Sequence, residues 1–148
     1  MTDQRGRELR RVEHEVGVLI RRVKRVLAER ARMLHEDLQP LTFLLLSHVI
    51  EQGPVRAADL VGSFGMDKGG VSRQVQHLVA LGLVERRPDP DDRRATQLLA
   101  TDDAVRRVRE MQRARRDRFD SRLADWSDDD LARFADQLAA YNTALADD

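Results

Sequence analysis

Two groups of side chains in this sequence combine charge with hydrogen-bonding capacity at spacings that suit a binding chemistry. In the first, Lys68, Ser72, Arg73 and Gln76 fall on one face of a helical pattern whose other face carries Val71, Val75, Leu78 and Val79. In the second, Arg86, Arg87, Arg93 and Arg94 surround the turn sequence Pro88-Asp89-Pro90-Asp91-Asp92. Guanidinium forks match phosphate oxygens, and Arg and Gln can bond base edges through two atoms at once. Phosphate contact and base readout are therefore the chemistry these residues offer. A merely solvated helix face with solubilising arginines is the competing reading of the same pattern.

Other chemistries lack their residues. No Ser/His/Asp order, glycine-rich phosphate loop or inward carboxylate pair can be assembled into a common site, so no catalytic residues are expected and an enzyme is not. The histidines are His14, His35, His48 and His77, with no His-x-x-x-His or comparable pair among them. His35-Glu36-Asp37 would need ligands converging from separate helices, so no metal or other cofactor is expected. Asp128-Asp129-Asp130 reads as charge at the start of a helix. The absence of cysteine removes disulfides, thiolate ligands and thiol oxidation.

The 148 residues carry 26 Lys+Arg and 26 Asp+Glu, a formal net charge of +0, which excludes a simple polycation. The balance conceals an uneven distribution. Residues 101–122 carry eight arginines against five acids, whereas residues 126–148 carry six aspartates against Arg133 alone. The arginines of residues 106–118 are expected to pair with the acidic last helix. No run approaches the ~18 apolar residues of a membrane span, and no signal-peptide core precedes the first helix. A cytoplasmic protein without membrane association is expected.

The elements that must position these groups follow from periodicity. Val12, Val16, Leu19, Val23, Val26 (with Leu27) and Leu34 recur mostly at alternating steps of four and three, predicting a long amphipathic helix ended by Pro40. Residues 42–51, with Leu44-Leu45-Leu46 and Val49-Ile50, predict a short buried helix closed by Gly53-Pro54. Ala57, Ala58, Leu60 and Val61 predict a third, stopping at Ser63-Phe64-Gly65. Asp67 is the expected N-cap of the fourth and Gly82 its C-terminal stop. Residues 83–87 and 95–99 then alternate as strands, with both prolines in the turn between them. Thr101 caps a long helix running toward Trp126, and Ser127 with Asp130 resembles a capping box for the last.

Helix, helix, turn, helix and hairpin over residues 42–100 is the order of a winged helix-turn-helix domain. The expected fold is mainly α with a small β-wing. It divides into residues 1–41 as an N-terminal helix of a dimerisation region, 42–100 as the DNA-binding domain and 101–148 as C-terminal dimerisation helices. A domain of about 60 residues cannot cover helices of ~37 Å, so a second copy of the chain is the economical cover. Val12, Val16, Leu19, Phe119, Leu123, Leu131, Phe134, Leu138, Tyr141 and Leu145 are the expected dimer residues. Such a dimer presents two recognition helices about one DNA turn, ~34 Å, apart.

From Val71-Ser72-Arg73-Gln74-Val75-Gln76-His77-Leu78 through Leu83-Val84-Glu85-Arg86-Arg87 to Asp92-Arg93-Arg94, the sequence resembles the MarR family of transcriptional regulators. The resemblance covers nearly the whole chain. It implies a homodimeric repressor on a pseudo-palindromic site in double-stranded DNA. Lys68, Gly69, Gly70, Ser72, Arg73, Gln76 and His77 would serve the recognition helix; Arg86, Arg87, Asp92, Arg93 and Arg94 would serve the wing. Arg94 would enter the minor groove and Asp92 would orient it. Ala100-Thr101-Asp102-Asp103-Ala104 departs from the family's usual Leu-Thr-x-x-Gly at the wing–helix junction. Gly69-Gly70 is unusual in a recognition helix, and makes either an adaptable first turn or a close backbone approach. The resemblance also implies a small aromatic or phenolic effector, with Val16, Ile20, Phe43 and Leu46 as lining residues, although core packing is the other use of those four. A winged-helix module that docks a protein partner, or a metal-responsive regulator, are the alternatives.

Overall fold

The computed structural model describes residues 3–146 as nine elements. These are α1 (Asp3–Leu34), α2 (Pro40–Gln52), β1 (Val55–Arg56), α3 (Ala57–Phe64), α4 (Lys68–Ala80), β2 (Val84–Pro88), β3 (Thr96–Ala100), α5 (Asp102–Arg122) and α6 (Asp128–Ala144). The chain forms two compact units, residues 1–109 and 110–148.

In the first unit, α2 is the central buried helix, as its apolar composition predicts. Leu45 and Leu46 are wholly enclosed, and Phe43, Val49 and Thr42 are buried beside them. Leu60 of α3, Val71, Val75 and Leu78 of α4, and Leu83, Val84 and Leu98 of the sheet region complete this core, with Ala31, Leu34, Ala104 and Val108 at the ends of α1 and α5. Each such Leu or Val contributes about 1.5–3 kcal/mol on burial. Pro40 begins α2 instead of ending α1. It occupies the first helical turn, where its missing N–H has no partner to lose. Helix α1 has already closed at Leu34, its last turn continued by the His35 amide on the Ala31 carbonyl at 2.9 Å.

The punctuation around α3 and α4 is what sets their crossing. Gly65, at φ +59°, ends α3 in the left-handed region that glycine tolerates. The Asp67 carboxylate accepts the Gly70 amide at 2.5 Å and caps α4. At the other end Gly82 (φ +69°) closes a Schellman motif, with Gly82 N donating to Val79 O and Leu83 N to Leu78 O, both at 3.0 Å. The apolar Leu78 and Leu83 that accompany this motif are both buried.

The sheet has three strands in the order β1-β3-β2, all antiparallel. Val55 pairs with Leu98 on one side of β3 and Arg86 with Leu98 on the other. The third strand, β1, goes beyond the two-stranded hairpin expected from the sequence. Pro88 closes β2 opposite Thr96, so only Pro90 lies in the loop. The Thr101 hydroxyl accepts the Ala104 amide at 3.3 Å and donates to the Gly82 carbonyl at 3.0 Å. It thereby caps α5 and fastens it to the α4–β2 turn.

The second unit holds the last turns of α5 and all of α6. Ser127 and Asp130 form the anticipated capping box: Ser127 Oγ accepts the Asp130 amide at 3.2 Å and Asp130 Oδ2 accepts the Ser127 amide at 3.3 Å. Trp126 and Phe134 meet edge to face, centroids 5.7 Å apart, and the Arg115 guanidinium lies 4.7 Å from the Phe119 ring centre. No residue of α6 is buried. Within α5, Arg106 and Arg107 reach back to Asp103 at helical spacing.

Candidate nucleic-acid interface

Helix α4 presents Lys68, Gly69, Ser72, Arg73 and Gln76 to solvent. The opposite face is anchored by Val71, Val75 and Leu78, and by the Thr42 hydroxyl donating to Gln74 Oε1 at 2.5 Å. These contacts fix the helix by its inner face and leave the outer one uncommitted. Two residues grouped with that outer face by sequence lie elsewhere. Gly70 is buried, and a Cβ there would stand 2.9 Å from Asp67 Oδ1 and 3.2 Å from Met66 Cε. His77 directs its Nε2 to the Asp37 carbonyl at 3.3 Å, so its ring is engaged by the α1–α2 connection.

The wing divides by strand alternation. Val84 and Arg86 point to one face of β2, Glu85 and Arg87 to the other. Arg86 joins Lys68, Ser72 and Thr96 around a cleft of about 360 Å³ whose apolar walls include Val61, Val71, Val75 and Leu98. Arg87, placed with the other wing arginines by sequence, is paired with Glu85 on the opposite face. Beyond the strands, Asp92 O accepts the Ala95 amide at 2.9 Å and closes a turn with Arg93 and Arg94 at its tip. Both are exposed, and neither makes an ion pair among the described residues. Asp92 reaches Arg94 through the main chain, its Oδ1 accepting the Arg94 amide at 3.0 Å.

A buried carboxylate underlies this tip. The Asp89 side chain is 0% exposed, yet it belongs to the hairpin loop. Its Oδ2 accepts Arg56 Nε at 2.6 Å, and its Oδ1 accepts the amides of Asp91 at 2.8 Å and Asp92 at 3.3 Å. The Arg56 bond first, then the Asp91 amide, hold the Asp89 carboxyl below its ordinary value against the opposing effect of burial. The same pairing raises Arg56. Neither residue stood out in the sequence as part of the site. The available signal was an aspartate in a Pro-Asp-Pro turn with a lone arginine after Gly53-Pro54-Val55.

The residues suggested as an effector pocket differ in burial. Phe43 and Leu46 belong to the core at 4% and 0% exposure, while Ile20 on α1 is 48% exposed and Val16 is half-buried. Among the described residues no three His, Cys, Asp or Glu side chains converge as a metal set, and no helix is long and apolar enough to cross a membrane.

A short helix pair with an exposed second helix, flanked by an antiparallel wing, defines a winged-helix protein. Residues 36–95 match the profile of the MarR family. Across 136 residues the chain is 31% identical to an uncharacterized HTH-type transcriptional regulator, YxaD of Bacillus subtilis, spanning 92% of this chain and 94% of that one. The chain belongs to the MarR family of transcriptional regulators, a class of regulators and not of enzymes. Its fold also resembles that of a MarR family regulator from Listeria monocytogenes solved with 26mer DNA. There the TM-score is 0.73 and the identity 18%, over 90% of this chain and 88% of that one. An Escherichia coli MarR variant solved with operator DNA gives 0.67 and 21%, over 90% and 95%.

Proposed function

We propose that this protein is a homodimeric repressor that grips a pseudo-palindromic operator through α4 and the wing. The observation that carries the reading is the cleft at which Lys68 and Ser72 of α4 meet Arg86 of β2, with Arg73 and Gln76 exposed on the same helix and Arg93 and Arg94 exposed at the wing tip. Helix and wing thus offer one polar surface, suited to base edges in the major groove and phosphates alongside it. Arg94, at the tip, is the residue assigned to the minor groove. The DNA complexes of the two structural relatives support the same use of the fold.

The second copy is inferred from apolar faces left without cover. Leu9, Val12, Leu19, Ile20 and Val23 are exposed along α1, and Leu131, Phe134, Leu138 and Leu145 along the last helix and its end. Their charges are complementary, since the flanks of α1 are rich in arginine while α6 opens with Asp128-Asp129-Asp130. Release by a small aromatic anion completes the proposal. The cleft beside α4 has apolar walls with Lys68 and Arg86 available to a carboxylate, and its size suits a small ligand. A ligand there would occupy the face DNA requires.

Selection of bound sequences from random duplex DNA, with affinities measured from 50 to 200 mM salt, tests the reading. An inverted repeat should be enriched, and neutralising roughly six to ten phosphates should lower affinity by ~10³–10⁵ over that range. No enrichment, or affinity flat with salt, would overturn it. A light-scattering mass of one chain at micromolar concentration would overturn the dimer.

A further inference from the structure

A hairpin loop is ordinarily solvated, and a carboxylate buried within one must be compensated by charge and hydrogen bonds. Asp89 is so compensated from two directions. The Asp91 and Asp92 amides of its own loop converge on Oδ1, and Arg56 of β1 reaches Oδ2. Arg56 is itself fixed, because its backbone amide donates to Asp59 of α3 at 3.1 Å and its neighbour Val55 is paired with Leu98. Asp89 N donates to Ala95 O at 3.0 Å across the neck of the loop, and Asp92 then holds the Arg94 amide. A continuous run of hydrogen bonds therefore leads from the β1–α3 junction to the wing tip. Without it, the loop would be held only by the end of its own hairpin.

We propose that Asp89, with Arg56 as its counter-ion, is a positioning residue for DNA binding: the pair ties the wing to the start of α3 and thereby sets Arg94 for the duplex. The inference rests on the DNA-binding reading above. It assigns Asp89 no contact with DNA, since its carboxylate is enclosed, and makes its effect pass through the wing tip.

The test combines Asp89→Asn, Arg94→Ala and the double variant in the full-length protein. Asp89→Asn keeps the shape and an acceptor for the loop amides but removes the charge that holds Arg56. Arg56→Gln removes the tie from the other side and serves as a second variant should Asp89→Asn fold poorly. Two readouts are expected to move together. Tryptic nicking after Arg93 and Arg94 should accelerate by about tenfold, following the population of the open loop, with other sites unaffected. If the wing is DNA-ready in only about one molecule in ten, duplex affinity should fall about tenfold as well. In the Arg94→Ala background, Asp89→Asn should cost little more affinity, because both changes act through one element. Unchanged nicking would overturn the tie. Additive losses of affinity, or equal nicking throughout the chain, would make Asp89 a general stability residue and overturn the positioning role. Wild-type protein that binds no duplex would sink the DNA reading itself, while the nicking comparison still decides the tie.

Discussion

Two adjacent glycines lie in the first turn of α4, and the structure predicts opposite consequences for replacing them. At Gly69 an added Cβ would meet only the end of the Arg73 side chain at 3.3 Å and Asp67 Oδ1 at 3.6 Å. Its backbone needs no left-handed conformation. Gly69→Ala should therefore recover most of the ~1 kcal/mol that glycine costs a helix, raising Tm by about 2–4 °C for a chain of this size. At Gly70 the Cβ would lie 2.9 Å from the carboxylate oxygen that caps the helix. Losing that cap costs about 0.5–2 kcal/mol, and crowding against Met66 adds to it, outweighing the gain in propensity. Gly70→Ala should lower Tm by roughly the amount that Gly69→Ala raises it. Circular-dichroism melts at one fixed protein concentration would measure both, since the melting of an oligomer shifts with concentration. Gly69→Ala melting below the wild type, or the two variants melting together, would refute the reasoning.

Two further outcomes follow from the site. Arg73→Ala should reduce discrimination between the selected operator and random duplex by about 1–3 kcal/mol if its guanidinium reads a base; equal losses on both DNAs would assign it to phosphate. The Asp89 carboxyl, held below its ordinary value by Arg56 and the Asp91 amide, contributes stability fully above about pH 4. That stability is lost as pH falls through the depressed folded-state value, Arg56 staying charged throughout. Asp89→Asn should flatten the acid side of a Tm-against-pH curve, and parallel curves for variant and wild type would contradict this.

What the sequence made legible was chiefly its local grammar. The Asp67 cap, the Gly82 stop and the Ser127–Asp130 box each depend on a few neighbouring residues, and each forms as read. The apolar run of α2 announced the burial of Leu45, Leu46 and Val49, while Leu44 in the same run stays exposed. Features requiring a distant partner were hidden. Two residues, Val55 and Arg56, cannot show an alternating period, so β1 exists only because β3 lies beside it. The side of the sheet taken by Arg87 depended on a register that places Arg86 opposite Leu98. Asp89 looked like an ordinary turn residue because its partner stands 33 positions away. Phe43 and Leu46 carried the right chemistry for a ligand pocket, but α2 spends both on the core. Pro40 was ambiguous in itself: the ring that forbids a helix interior also favours a helix start.

Helix α6 extends from Asp128 to Ala144 without a single buried residue. Its 17 residues are only a little more than the ~12–15 below which an isolated helix is marginal in water, so cover on Leu131, Phe134 and Leu138 would add to its order. With a twin molecule in that place, dilution would unravel this end first. Cellular abundance, as much as any small-molecule signal, would then decide what fraction of the regulator is assembled at a given moment.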